Sequence, residues 1–158
     1  EVVNVSGAPV DIGDWYLKDL AGDDADLRLD GVLDPGEAAV YYGSQAMAWQ
    51  ASQGLSTTGF GLNHSGDFVQ LLRAIPGTTD LELMYAISYE DHEGDDDRSC
   101  GWNFDYSDWV LFDGINPYGG SIDPVGTGCS PTPGWTDDCT GTVPTEGRTF
   151  GAVKALYR

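Results

Sequence analysis

The sequence predicts an all-β protein: a β-sandwich over residues 1–112, continued by a long irregular extension over 113–158. Three observations carry this. Short apolar, β-favouring runs recur through the first ninety positions with Gly, Pro and Asp clusters between them, which is how strands joined by tight turns read in sequence. Their close spacing leaves little room for the crossover helices of an α/β fold. Positions 113–147 are instead rich in Gly, Pro, Thr and Asp, and predict irregular chain held by a disulfide rather than by a sheet. A chain of 158 residues is long enough to bury a real core in one unit.

Taken in order, Val10, Ile12, Trp15 and Leu17 nearly alternate with Asp11, Asp14 and Lys18, and Gly13 breaks the run as a bulge or bend would. Leu27, Leu29, Val32 and Leu33 predict a second strand, closed by the tight-turn composition Asp34-Pro35-Gly36. The apolar run from Ala38 to Tyr42 predicts a third, buried strand. Residues 44–61 read as an excursion between strands, with a helical turn allowed over 45–53. After a turn at 63–67, Phe68, Val69, Leu71 and Leu72 make a strand, and Pro76-Gly77-Thr78 the next turn. Leu81, Leu83, Tyr85 and Ile87 then alternate strictly with Glu82, Met84, Ala86 and Ser88, the cleanest strand signal in the chain. Trp109 to Phe112 predicts a short strand, while the segment 149–158 fits a strand and a helical turn equally.

Charge narrows the function. The chain carries 26 Asp and Glu against 7 Lys and Arg, a formal charge of -19. Such a field repels phosphate backbones, so no nucleic-acid partner is expected. No apolar run approaches the length of a membrane helix, so no membrane insertion is expected either, and the opening residues read as folded sequence from which any targeting peptide has gone. The three cysteines, Cys100, Cys129 and Cys139, fall in the last third without a CxxC pair, which argues for a disulfide in an oxidising compartment over a zinc site. Proximity favours Cys129 with Cys139; pairing of Cys100 with either stays open.

Four pieces carry a family likeness: Glu1-Val-Val-Asn-Val-Ser6, Val10-Asp-Ile-Gly-Asp-Trp-Tyr-Leu17, Leu33-Asp-Pro-Gly-Glu37 and Leu62-Asn-His-Ser-Gly-Asp-Phe-Val-Gln-Leu71. In order and spacing they resemble the lamin tail domain, and the likeness continues through Gly77 and Asp80 to Tyr85. Ser130-Pro-Thr-Pro-Gly134 is similar to the turn that closes many bacterial versions. The resemblance implies an immunoglobulin-like sandwich, found in nuclear lamins and in secreted or surface bacterial proteins, with no shared catalytic residues. It implies structural roles for its motifs: Trp15 a core filler, Pro35-Gly36 a turn former, Gly66-Asp67 a hairpin bend. In the family the pattern at Glu1 to Asn4 follows an opening strand that this chain lacks, which implies an unfinished sheet border, and such borders recruit strands.

Several residue groups are candidates for function. The acidic run from Glu90 to Asp97, and within it Asp95, Asp96 and Asp97 together with Asp105 and Asp108, has the oxygen-rich composition of a calcium site, although Asp-rich loops are more often only solvated. No cofactor is required, and structural calcium is the one candidate. The aromatics Trp102, Phe104, Tyr106 and Trp109 suit sugar or protein recognition, or core packing. Asn4-Val-Ser6 and Asn63-His-Ser65 match the glycan acceptor triplet. His64, Ser65 and Asp67 are neighbours in a turn, which supplies neither the convergence nor the oxyanion hole of a triad, so a non-enzymatic protein is expected. The segment 148–158 holds Arg148, Lys154 and Arg158 among Phe150, Val153, Leu156 and Tyr157, an apolar, basic end suited to docking on an acidic neighbour.

Two functions follow, from different classes. The first is a self-assembling extracellular or cell-surface subunit, a filament subunit in its extended form, linked to other copies of itself by strand or tail exchange. The second is an accessory module of a larger secreted protein, binding a carbohydrate or a surface protein.

Overall fold

The computed structural model describes residues 1–20, 22, 24–63, 65–90, 99–103, 108–112, 126, 129–131 and 133–134; at 90, 99, 102, 103, 108 and 109 the description is of the main chain. These residues form ten strands and one helix: β1 (Val2–Val3), β2 (Val10–Asp11), β3 (Trp15–Lys18), β4 (Leu27–Arg28), β5 (Val32–Leu33), β6 (Ala38–Ala39), α1 (Gly43–Gln53), β7 (Gly66–Ala74), β8 (Leu81–Glu90), β9 (Ser99–Asn103) and β10 (Asp108–Phe112). All pairings are antiparallel. The largest sheet runs β4-β3-β7-β8, and β1 with β6, β2 with β5 and β9 with β10 make two-stranded sheets. The architecture is all-β with a single short helix.

One core joins these small sheets. Ile12, Leu17, Leu27, Leu29, Leu33 and Ala46 are buried together, with Val2, Val10, Trp15, Ala39, Tyr41, Trp49, Phe60 and Leu71 packed against them. Every element from β1 to β7, the helix included, therefore contributes to the same apolar centre. Ile12 and Leu29 are the largest of the fully buried side chains, and each is worth about 1.5–3 kcal/mol in removed apolar surface. Leu72, Leu111 and Phe112 are buried outside that cluster.

The turns follow from local chemistry. At Gly13 the main chain donates to Asp11 Oδ1 at 2.9 Å, which ends β2 and re-aims the chain into β3, as the broken alternation predicts. Gly36 takes a left-handed φ of 78°, and the turn is locked by Glu37 N donating to Asp34 O and Asp34 N donating to Glu37 Oε2. Trp15 packs on the core as the resemblance implies.

Several expectations are corrected. The single strand over Leu27 to Leu33 is two, β4 and β5, because Gly31 at φ 96° turns the chain between them. The third strand stops at Ala39, and Tyr42 becomes the N-cap of α1, its N–H donating to Gln45 Oε1 at 2.7 Å. The excursion over 44–61 holds an eleven-residue helix rather than one turn, closed by Gly54 in the left-handed conformation. Gly66 and Asp67 open β7, opposite Glu90 and Tyr89, instead of forming a hairpin bend. No helix among the described residues is long and apolar enough to cross a membrane.

Candidate functional site

Two features of the large sheet stand out: a buried acidic seam at one end and an open border along β8. The seam begins where β3 leaves the sheet. Asp19 and Asp26 are buried, at 4 % and 7 % exposure, the two buried acids among the described residues. Asp26 N donates to Leu17 O, and Asp26 Oδ2 accepts the Asp19 N–H at 2.7 Å, so the carboxylate ties the two ends of the β3–β4 connection together. Gln50 of α1, 2 % exposed, reaches the same place. Its amide grips Gly59 in both directions, accepting from N at 3.0 Å and donating to O at 2.8 Å, and its Nε2 lies 3.5 Å from Asp26 Oδ1. Gly61, at φ 58°, lies so close to Asp19 that a Cβ there would overlap the Oδ2 oxygen.

Asp67 completes the seam from β7. It accepts from Asn63 N, Asn63 Nδ2 and Phe68 N, while Tyr89 on β8 donates its hydroxyl to Asn63 O at 2.7 Å. Burial, opposed by the Asp19 hydrogen bond and reinforced by the Asp19 charge, raises the Asp26 carboxyl from 3.8 to about 6, with Lys18 pulling it down and Asp67 pushing it up. Burial and the charges of Asp67 and Asp19 push the Tyr89 hydroxyl to about 12. Chemically, the seam accepts from main-chain donors that hold its loops, and its Asp26 carboxyl keeps its proton up to about pH 6. It was not singled out in the sequence, because two acids among 26 carry no periodic or spacing signal.

The border is set by the β7–β8 register. Ile75 N donates to Asp80 O, and Ala74 N turns the other way to Asp14 O. Antiparallel alternation then places Leu81 and Leu83, opposite Ala74 and Leu72, at positions whose N–H and C=O point away from β7. A register shift between Leu71 and Leu72 inserts Met84 as an extra residue on β8. Leu72 is 8 % exposed, but its cross-strand partner Leu83 is 58 % exposed, and Leu81, Met84 and Tyr85 are exposed as well. The apolar cover of the sheet thus ends one strand short of its border. Among the described residues β8 has a strand partner only in β7, and β1 only in β6.

The sequence candidates fall unevenly on this frame. Asp95, Asp96, Asp97 and Asp105 lie outside the described residues, and Asp108 enters as main chain opposite Asn103 in the β9–β10 hairpin. Phe104 and Tyr106 also lie outside, whereas Trp102 and Trp109 are directly opposite each other in that hairpin. Cys139 and the whole segment 148–158, with Arg148, Phe150, Val153, Lys154, Leu156, Tyr157 and Arg158, lie outside, as does His64; the Cys129–Cys139 pairing is therefore still an expectation. Among the described residues no group of three or more His, Cys, Asp or Glu is arranged to hold a metal ion. The glycan triplet at Asn4 is corrected: its side chain is buried, with Nδ2 donating to Ala8 O and Leu33 O and Oδ1 accepting from Ser6, so the nitrogen a glycan would need is committed inside the fold. No protein-family model matches the chain, and no curated protein or solved structure matches it.

Proposed function

We propose that this chain is a non-enzymatic extracellular structural module, an immunoglobulin-like sandwich of the lamin-tail type, that assembles with other copies of itself through its open sheet border. The supporting observation is β8: a ten-residue strand with one neighbour among the described residues and exposed Leu81, Leu83, Met84 and Tyr85 along it. Soluble proteins ordinarily blunt such borders with charge, proline or cover. The family reading rests on the four sequence pieces.

In this reading the Cys129–Cys139 disulfide staples the extension, and the acidic loop with Asp105 and Asp108 takes structural calcium. Light scattering and electron microscopy of the full chain, with and without a chelator, test the proposal. Particles well above 16.9 kDa that grow with concentration are expected. A monodisperse monomer at every concentration overturns assembly and leaves the accessory binding module.

A further inference from the structure

We propose that the border of β8 from Leu81 to Met84 is an acceptor for one strand of a second copy, and that the strand is the segment 149–158. This rests on the assembly reading and names the partner of its site.

The main-chain groups of Leu81 and Leu83 point outward in register, ready for a further antiparallel or parallel ladder. Leu81, Leu83 and Met84 on the same stretch are apolar and exposed, so an added strand gains cover as well as hydrogen bonds. Charge selects which strand. Asp80 precedes the stretch, Glu82 lies within it, the acidic run 90–97 begins at the last residue of the strand, and Arg73 is the cation paired with Glu82. A second β8 laid antiparallel on the first would set acid against acid. All 26 acidic residues precede position 148, whereas 148–158 has none and carries Arg148, Lys154 and Arg158. When extended, that segment puts Val153, Ala155 and Tyr157 on one side, an apolar face to meet Leu81 and Leu83. Donor and acceptor are different surfaces, so the contact is head-to-tail and propagates unless its rotation closes a ring.

The test uses the full chain and a fluorescent synthetic peptide of residues 148–158, read by anisotropy. Saturable binding is expected, weakened by salt and at least about tenfold by Leu83→Lys, which places like charge at the border. Leu83→Pro removes an outward N–H without costing a bond to β7, and is expected to weaken binding by at least as much. Circular dichroism establishes that each variant is folded, and the exposure of Leu83 lets the Lys variant keep the core intact. Failure of the peptide to saturate, or unchanged binding to both variants, overturns the inference. If the full chain forms large particles while the peptide does not bind, the acceptor is elsewhere and assembly stands; if the peptide binds a chain that stays monomeric, the acceptor stands and the assembly reading fails.

Discussion

Asp26→Asn separates the energetics of the acidic seam from the rest of the fold. The carboxyl is raised from 3.8 to about 6, and each tenfold gain in proton affinity is about 1.36 kcal/mol, so the folded state prefers the protonated form by on the order of 3 kcal/mol. Solvent screening at the polar end of the seam, where Lys18 and Asp67 act, brings the usable figure to about 1–2 kcal/mol. Because the folded value lies above the unfolded one, this contribution is fully present below pH 3.8 and is lost as pH rises through about 6. The wild-type chain should therefore be more stable to urea at pH 5 than at pH 7.5. Asparagine keeps an oxygen for the Asp19 N–H and removes the charge, so at pH 7.5 the variant should gain about 1–2 kcal/mol and lose most of the slope between pH 5 and 7.5. Chemical denaturation at the two pH values measures both. A variant less stable than wild type at pH 7.5, with the wild-type slope retained, would refute the reasoning.

Other perturbations probe neighbouring parts of the same frame. Gln50→Ala strips Gly59 of both main-chain partners and should cost about 2–4 kcal/mol, with limited proteolysis appearing first in the loop 54–61. Gly61→Ala meets both a left-handed φ and the Asp19 carboxylate, whereas Gly54→Ala meets a left-handed φ in open space; thermal denaturation should show the first lowering Tm more than the second. Peptide mapping without reduction should recover Cys129 linked to Cys139 in one species, and linkage through Cys100 would refute that pairing.

What the sequence disclosed, and what it hid, has a physical pattern. β8 was legible because ten residues of alternation across two faces leave a period no loop imitates. The Gly13 break was legible because an Asx turn sets its Asp two residues before the amide it accepts from, as Asp11 is to Gly13. The helix α1 was not, since its anchors are Ala46 and the polar Gln50 while Met47 faces solvent, which erases the apolar stripe that marks a helix. The run from Ala38 to Tyr42 read as strand because its composition is apolar throughout, but Tyr42 is spent on capping α1. The seam was hidden because burial, not spacing, distinguishes Asp19 and Asp26 from the other described acids, and burial is a property of the packed chain. The open border was hidden for the same reason: which N–H of β8 faces outward depends on the register with β7, fixed by Ile75 bonding Asp80 and Ala74 bonding Asp14.

Amide hydrogen exchange at Leu81 and Leu83, compared between dilute and concentrated full-length chain, reports directly on whether a neighbour completes the sheet. Protection at both amides that grows with particle size, while amides already bonded to β7 stay as they were, is the outcome expected of strand addition at β8. Particles that form while Leu81 and Leu83 exchange as fast as in the dilute chain would contradict it.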